Sequence, residues 1–228
     1  MSESARHVVV TGGTGALGAA VVARLLAAGD RCHVTWLVER EIEHFAHRAA
    51  CALHHVDCGD EAAVIAFYAS LPRVDASIHL VGGFEMAPLE ATTLEAFERM
   101  FRLNARTAFL CSREAVRRMR ALGGGGRIVN VAARPAVEPT GGMVAYAVSK
   151  AAVAALTRSL AEEVRQEGIL LNAVLPSVID TPANRAAMPT ADHAKWPAPG
   201  DLAETIAFLA SAENRVTSGA LVPVYGRA

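Results

Sequence analysis

The sequence predicts a doubly wound α/β fold, in which a parallel sheet of seven strands carries helices on both faces. Seven short apolar runs rich in β-branched residues recur along the 228 residues and alternate with stretches of helical period. These runs are apolar on both faces, which is typical of strands buried inside a parallel sheet. With 52% hydrophobic residues and no repeat or low-complexity segment, the chain is expected to build one core.

The predicted elements follow one another in strict alternation. The strands occupy residues 7–11, 32–38, 52–56, 76–81, 127–131, 170–175 and 220–224. Helical spacing of apolar residues covers 17–28, 61–70, 94–122, 145–166 and 200–210. Parallel neighbours need crossover connections, and these helices supply them. The four glycines 123–126 are expected to form a flexible turn, and the whole chain, 1–228, a single domain.

Two segments interrupt this alternation. Residues 82–90 follow the fourth strand, and residues 177–199 follow the sixth; the second segment is polar, contains several prolines and is long for a connection. Ligands of open parallel sheets bind beyond the carboxyl ends of the strands. We therefore expect both segments at the functional site, with residues 177–199 as a substrate lid.

Composition excludes several classes of partner. The formal net charge of −1 leaves no basic excess for nucleic acid or an anionic membrane. No apolar stretch reaches the roughly 18 residues of a membrane span. Residues 1–6 are polar and lead directly into the first strand without the apolar region of a secretory signal. We expect a cytoplasmic protein that acts on a small-molecule substrate.

The cysteines show no metal-binding or redox pattern. They form no CxxC pair and have no histidine at ligand spacing, so we predict no metal site. We expect them to be reduced, mostly buried small hydrophobes. They are Cys32, Cys51, Cys58 and Cys111.

A glycine-rich loop joins the first strand to the first helix. Glycine permits backbone conformations closed to other residues and lets the chain approach a phosphate closely. The helix start beyond it offers free N–H groups and a positive dipole end. An ordinary turn is the alternative, but the strand before and the helix after favour a dinucleotide pyrophosphate site. The predicted cofactor-binding residues here are Gly12, Gly13, Thr14, Gly15, Ala16, Leu17 and Gly18.

The end of the second strand bears on the choice of nicotinamide cofactor. NAD sites usually carry an acidic residue there, but this strand ends near Trp36. Arg40 follows shortly after and could pair with the 2′-phosphate of NADP, or it could be a solvated surface charge. The sequence therefore permits either cofactor and favours NADP over NAD.

Tyr146 and Lys150 open the helix after the fifth strand. Positions four apart share one face of a helix, so the phenol and the ammonium are expected to converge. A nearby positive charge lowers the pKa of a tyrosine from about 10, which suits it to proton transfer. Such a pair alone is often a surface pair, but its position after the glycine loop favours catalysis.

With these motifs, the chain resembles the short-chain dehydrogenase/reductase family over essentially its whole length. The resemblance implies a Rossmann-like fold and catalytic roles for Tyr146, Lys150 and Asn104, the last kinking its helix and holding a proton-relay water. Asp57 then corresponds to a residue that contacts adenine, although a helix cap is the alternative. Thr181 corresponds to a cofactor-binding threonine. Further cofactor contacts are expected at Cys58, Val81, Gly82, Gly83, Pro176 and Val178.

One departure from the family concerns the substrate carbonyl. Most members carry a serine thirteen residues before the tyrosine, and here that position is Ala133. Losing such a donor costs about 3 kcal/mol of transition-state stabilisation. Either another group substitutes, or the substrate needs no such donor, or the enzyme is slow. Thr140 and Arg134 are the candidate substitutes, and both are equally compatible with plain loop residues.

Within the family, the chain resembles the dihydropteridine reductase branch. That branch lacks the serine and keeps the tyrosine and lysine, and its quinonoid dihydropterin accepts hydride and proton without a localised oxyanion. The chain departs from it at Trp36, usually acidic there, and at Phe84, usually another aromatic. The resemblance rests on Gly12-Gly13, Gly15 to Gly18, Gly82-Gly83, Thr140 to Met143, Ala173 to Pro176, Asp180 to Arg185, Met188-Pro189, Ala191-Asp192, Trp196, Asn214-Arg215 and Ser218-Gly219.

We therefore predict an NAD(P)H-dependent reductase in which Phe84 or Trp196 stacks on a flat substrate. Trp196 could instead pack under its loop, and His193 is expected at the surface. There are three alternatives: a carbonyl or 3-oxoacyl reductase that uses Thr140 or water, a cofactor-binding sensor with weakened chemistry, and a structural partner protein. Family members commonly pair the helices corresponding to 94–122 and 145–166 between subunits. A homodimer or homotetramer is expected, the latter using residues 220–224 as a second contact.

Overall fold

The computed structural model describes residues 5–123 and 125–228, and its sheet confirms the predicted fold class. Seven parallel strands lie in the order β3-β2-β1-β4-β5-β6-β7. The order reverses between β1 and β4, so a ligand crevice is expected at their carboxyl ends. The strands are β1 His7–Thr11, β2 Arg31–Trp36, β3 Ala52–His55, β4 Ala76–His79, β5 Gly126–Val131, β6 Ile169–Pro176 and β7 Leu221–Val224.

Helices cover both faces of the sheet. α1 and α8 pack together on one face, and α3, α5 and α6 pack on the other. The helices are α1 Ala16–Ala27, α2 Glu39–Glu43, α3 Glu61–Ser70, α4 Leu94–Phe101, α5 Thr107–Leu122, α6 Val144–Val164, α7 Pro182–Ala187 and α8 Pro199–Ala210. None of these described helices combines the length and the apolar character needed to cross a membrane.

The first strand shows why its sequence is apolar without alternation. Side chains of a strand point alternately to opposite faces. Val8 and Val10 pack into the cluster formed with α1 and α8, whereas Val9 packs into the cluster formed with α3, α5 and α6. All three are fully buried. The sheet therefore has an apolar core on each face. A strand buried between the two cores is apolar at every position.

The predicted helix over residues 94–122 is interrupted by a π-helical turn at Arg102–Arg106, between α4 and α5. The Thr107 hydroxyl donates to the carbonyl oxygens of Leu103, at 2.7 Å, and Asn104, at 3.2 Å. Such a turn widens the helix locally and is frequent at functional sites. Apolar periodicity gave no sign of this turn, because one local widening leaves the helical period intact. The turn contains Asn104, the residue at which the resemblance to the family implied a kink.

Other boundaries differ by one or two residues. β2 ends at Trp36, so the exposed Leu37 and Val38 belong to a loop, and β4 ends at His79. The predicted glycine turn is present in part: Gly123 caps α5 with φ of +68°, and Gly126 begins β5. Gly124 and residues 1–4 lie outside the described residues.

Cys32, Cys58 and Cys111 are buried, as predicted, and Cys51 is partly accessible. Residues 177–199 contain α7 and a short 3-10 turn, His193–Lys195. The Asp180 N–H donates to the Pro197 carbonyl oxygen at 3.0 Å, which ties the two ends of this segment together. Its role as a lid stays a prediction.

Candidate active site

The glycine loop between β1 and α1 is shaped for close approach of an anion. Gly12 has a φ of +67°, which glycine adopts without strain. A Cβ on Gly18 would lie 2.5 Å from the Gly12 carbonyl oxygen, so only glycine lets α1 start this close to the loop. Gly15 caps α1, and the nearest atom to a Cβ there is 3.5 Å away. The first N–H groups of α1 are therefore approachable, and the loop fits a dinucleotide pyrophosphate.

The rest of the loop is held by its neighbours. The Gly12 N–H donates to the Thr35 hydroxyl at 3.2 Å, which anchors the loop to β2. A Cβ on Gly13 would meet Val34 at 2.8 Å, and one on Gly12 would meet Val81 at 3.1 Å. The two residues that follow Gly15, Ala16 and Leu17, form the start of α1. The predicted contacts on β1 and β4 thus share one crevice.

The predicted ribose-binding residues lie beside the end of β2. Trp36 is its last residue, and its ring lies 4.5 Å from that of His55. Arg40 is exposed on α2. The Thr14 hydroxyl donates to the Glu41 carboxylate at 2.8 Å. A carboxylate therefore reaches the glycine loop although β2 ends in a tryptophan.

The loop after β3 carries the predicted adenine contact. Asp57 accepts a hydrogen bond from the Gly59 N–H at 2.8 Å, while Asp60 caps α3 by accepting from the Ala63 N–H at 2.9 Å. Capping therefore falls to Asp60 rather than Asp57. Cys58 is buried, with its Sγ 3.6 Å from the Thr35 hydroxyl. Its side chain packs in the core, so the predicted cofactor contact of Cys58 stays a prediction.

Asn104 fastens the loop after β4 to helix α6. Its Oδ1 accepts from the Gly83 N–H, and its Nδ2 donates to the Gly83 carbonyl oxygen and to the Ser149 hydroxyl, all at 3.0 Å. A Cβ on Gly82 would lie 2.7 Å from Asn104 Oδ1 and 3.3 Å from Lys150 Nζ. Both N–H donors of the Asn104 amide and its Oδ1 thus have protein partners, and the relay water expected at Asn104 stays a prediction.

Tyr146 and Lys150 lie four residues apart on the first turns of α6. Lys150 is 6% exposed, and its Nζ donates to the Val131 carbonyl oxygen at 2.8 Å. The Tyr146 ring packs edge to face against Phe84, with centroids 4.9 Å apart. The pair therefore lies at the carboxyl ends of β4 and β5 and does not form a surface pair.

Burial is the main cause of the pKa shifts of Tyr146 and Lys150. It raises the pKa of Tyr146 to about 12 and lowers the pKa of Lys150 to about 8. The expectation that the ammonium lowers the tyrosine pKa is wrong for this arrangement, because burial of the phenol is the cause of the shift and it acts in the opposite direction. Tyr146 consequently keeps its proton at neutral pH, as a proton donor must.

Ala133 lies two residues after the end of β5 and is 4% exposed. The Arg134 guanidinium donates to Glu138 at 2.7 Å and to the Ala228 carbonyl oxygen at 3.0 Å, and it lies over the Tyr225 ring. Thr140 is exposed in the loop before α6. The place of the missing serine is thus occupied by a methyl group.

The expected substrate residues lie on separate segments. Phe84 is 61% exposed beside Tyr146, which leaves its face open to a ligand. Trp196 is half-buried and packs on His193, with ring centroids 4.6 Å apart. Pro176 is buried at the end of β6, Val178 is half-buried, and Thr181 caps α7 by accepting from the Asn184 N–H at 3.2 Å. Phe84 is thus the aromatic ring nearest the tyrosine.

Two residues at the site, Ser149 and Glu41, were not predicted from the sequence. Ser149 is fully buried; it accepts from Asn104 and donates to the Tyr146 carbonyl oxygen at 2.7 Å. Its signal was its place between the tyrosine and the lysine. Glu41 carried no signal, because its contact with Thr14 spans 27 residues and two elements.

Comparison with known proteins agrees with this geometry. The family model described as short chain dehydrogenase matches residues 6–192. The cis-4-hydroxycyclohexanecarboxylate dehydrogenase of Sinomonas cyclohexanicum is 34% identical over 97% of this chain and 95% of its own length. The 3-oxoacyl-[acyl-carrier-protein] reductase MabA of Mycobacterium bovis is 30% identical over 97% of this chain and 92% of its own.

Solved structures share the fold over the same extent. An oxidoreductase of the short chain dehydrogenase/reductase family from Burkholderia thailandensis superimposes with a TM-score of 0.89 at 29% identity, covering 98% of this chain and 92% of that one. The family match extends over most of the chain, from the glycine loop past the tyrosine and lysine. This chain therefore belongs to the short-chain dehydrogenase/reductase family and is an oxidoreductase.

Proposed function

We propose that this oxidoreductase uses NADPH or NADH to reduce a flat, conjugated, electron-poor ring, for which a quinonoid dihydropterin is the example. The buried Ala133 carries this proposal, because a methyl group cannot hydrogen-bond to a carbonyl oxygen. A conjugated ring spreads the incoming charge and needs no such donor. The exposed ring of Phe84 beside Tyr146 supports a flat substrate.

The residues that would hold the cofactor are those of the crevice between β1 and β4. The glycine loop and the start of α1 fit the pyrophosphate, with Gly15 leaving room for it. Lys150 would hold the nicotinamide ribose, and Thr181 would lie near the nicotinamide. When bound, the nicotinamide supplies a hydride to the substrate.

Tyr146 is the proposed proton donor. Burial raises its pKa to about 12, so the phenol is protonated at neutral pH and can deliver a proton as the hydride arrives. Lys150, with a pKa lowered to about 8, is still an ammonium at neutral pH, one helical turn along α6 from Tyr146. Asn104 holds the loop after β4 against α6, and its backbone would anchor a relay water. Residues 177–199 would close over the substrate.

A substrate panel tests the proposed reaction. NADH and NADPH oxidation is measured with quinonoid dihydropterin, a β-ketoester and a simple cyclic ketone. We expect kcat/KM for the dihydropterin to exceed that for either ketone by about a hundredfold. Efficient turnover of the ketones with none of the dihydropterin would overturn the proposed substrate class.

A carbonyl or 3-oxoacyl reductase is the second candidate, and the relative that bears a 3-oxoacyl reductase name favours it. It would need Thr140 or a water in place of the serine. Thr140 is exposed in a loop, and Arg134 is held by Glu138. Dominant β-ketoester turnover in the same panel would establish this candidate. Tight cofactor binding with no turnover at all would instead indicate a sensor.

We propose that the protein is a homodimer or homotetramer. Exposed apolar side chains on α4 and α5 support pairing of these helices with a second copy: Leu94 is 72% exposed, Phe101 43% and Phe109 43%. Val144 and Val148 on α6 are also exposed. Light scattering coupled to gel filtration gives the mass, and a monomer at micromolar concentration would contradict the proposal.

A further inference from the structure

The short helix after β2 places an acidic side chain against the glycine loop. α2 begins at Glu39, three residues after Trp36 ends the strand. Glu41 lies one position past Arg40, and its Oε2 accepts a hydrogen bond from the Thr14 hydroxyl at 2.8 Å. This contact closes the gap between the glycine loop and the segment that follows β2.

The contact between Thr14 and Glu41 lies at the predicted dinucleotide site. Thr14 directly precedes Gly15, the cap of α1, where the pyrophosphate would bind. In doubly wound folds the adenosine ribose lies between that loop and the end of the second strand, and an acidic residue binds its hydroxyls in NAD enzymes. Here Trp36 holds the strand end. Glu41 brings a carboxylate to the same place from α2.

We propose that Glu41 is the residue that makes this enzyme prefer NADH over NADPH. Its carboxylate would accept hydrogen bonds from the ribose hydroxyls and repel a 2′-phosphate, a group with about −1.5 to −2 charge at neutral pH. The inference rests on the proposed nicotinamide site. It reverses the preference for NADP that Arg40 suggested from sequence.

The surroundings of Arg40 support this reversal. Within residues 5–123 and 125–228, its guanidinium makes no hydrogen bond or ion pair, and its carbonyl oxygen accepts from His44 Nδ1 at 2.8 Å. α2 has the sequence Glu-Arg-Glu-Ile-Glu, so this helix carries three carboxylates and one guanidinium. Glu41 is the acid whose bond to Thr14 holds it at the loop. A 2′-phosphate beside the glycine loop would therefore meet the carboxylate of Glu41.

Binding measurements on the intact protein test the proposal without relying on turnover. Dissociation constants for NADH and NADPH are measured by calorimetry for the wild type, Glu41→Gln and Glu39→Gln. Glu39→Gln is the matched control, because it removes the same charge from the same helix. We expect the wild type to bind NADH roughly tenfold more tightly than NADPH. In Glu41→Gln the two constants should lie within about threefold, mainly through tighter NADPH binding, and Glu39→Gln should keep the wild-type ratio.

The outcomes separate this inference from the proposed function. Tighter binding of NADPH by the wild type, or an unchanged ratio in Glu41→Gln, would overturn the role of Glu41. Arg40→Ala tests the competing interpretation that Arg40 binds the 2′-phosphate. If Arg40→Ala lowers the affinity for NADPH by about tenfold while Glu41→Gln leaves both dissociation constants unchanged, Arg40 determines the cofactor preference. Failure to bind either dinucleotide would overturn the proposed function itself. Equal melting temperatures would show that these exposed substitutions leave the fold intact.

Discussion

In the proposed reaction, Ala133, Tyr146 and Lys150 determine what this site can do to a substrate. Ala133 presents a buried methyl group at the position where most family members carry a serine hydroxyl. Tyr146 holds a proton because its pKa is raised to about 12. Lys150 is fixed by the Val131 carbonyl oxygen, which keeps the ammonium within the crevice. Such a site suits an acceptor that spreads charge over a ring.

Restoring the hydroxyl tests this interpretation at a single residue. In Ala133→Ser we expect kcat/KM for a β-ketoester to rise by about tenfold or more, because the serine supplies the missing donor to the developing oxyanion. The gain should be confined to ketones, since a conjugated ring develops no localised oxyanion. Steady-state kinetics on both substrate types measure the effect.

Ala132→Ser is the matched control, because that neighbour is 2% exposed and packs in the core beside α6. It should give no gain on either substrate. A gain of equal size for quinonoid dihydropterin in Ala133→Ser would show that the proposed substrate does need the hydrogen-bond donor.

At the scale of elements, the close approach of α1 to the glycine loop depends on Gly18. A Cβ there would lie 2.5 Å from the Gly12 carbonyl oxygen and 2.5 Å from the Gly13 Cα, so the loop or the helix must shift. We expect Gly18→Ala to lower the free energy of unfolding by roughly 1–3 kcal/mol and to abolish dinucleotide binding. Urea denaturation and cofactor titration measure the two effects.

Gly15→Ala provides the contrast, because the nearest atom to its added Cβ is 3.5 Å away. That variant should keep its stability yet bind the pyrophosphate less tightly, since the methyl group intrudes on the proposed ligand. Wild-type stability and affinity in Gly18→Ala would contradict the assigned role of the loop.

The elements also show where sequence reasoning reaches its limit. Apolar periodicity predicted the strands and most helices, because burial on a sheet or a helix face repeats along the chain. It missed the π turn at Arg102–Arg106, since one widened turn leaves the period of the flanking helices intact. It also missed the contact between Glu41 and Thr14, which exists only once α2 folds back on the loop.

The same limit applies to electrostatics. The spacing of Tyr146 and Lys150 was sufficient to predict that they share a helix face. The direction of the tyrosine pKa was predicted wrongly, because desolvation depends on how α6, β5 and the loop after β4 pack together. Ala133 was identifiable by counting from Tyr146, whereas the engagement of Arg134 by Glu138 required the folded chain.

At the scale of the whole molecule, a buried polar network crosses the core between α3, the sheet and α6. The Ser77 hydroxyl lies 2.8 Å from His79 Nε2, and His79 Nδ1 lies 2.8 Å from Asn130 Oδ1. Asn130 Nδ2 donates to the Thr157 hydroxyl at 3.0 Å. Asn130 Oδ1 can only accept, so the imidazole carries a proton on Nδ1. Burial lowers the pKa of His79 to about 4.

This network predicts acid sensitivity. The pKa of His79 is near 6.5 in the unfolded chain and about 4 in the folded one, so the unfolded chain binds the extra proton first. Its contribution to stability is fully present above pH 6.5 and is lost as the pH falls towards 4, by roughly 3 kcal/mol in total. Urea denaturation at several pH values measures this loss. His33, whose pKa burial also lowers to about 4, adds to it.

The variant His79→Gln isolates the contribution of His79 to the pH dependence of stability, because the other titratable groups are common to both proteins and contribute equally. Its free energy of unfolding should fall less steeply than that of the wild type between pH 6.5 and 4. Equal slopes in the two proteins would contradict the neutral buried imidazole.

The most direct test of the account is the replacement of Tyr146 by phenylalanine. The central claim is that this phenol gives its proton to a substrate that receives a hydride in the same crevice. In Tyr146→Phe we predict that kcat/KM for the identified acceptor falls by about a hundredfold or more, while the dissociation constant for the dinucleotide changes less than about twofold. Wild-type turnover in this variant would contradict the claim.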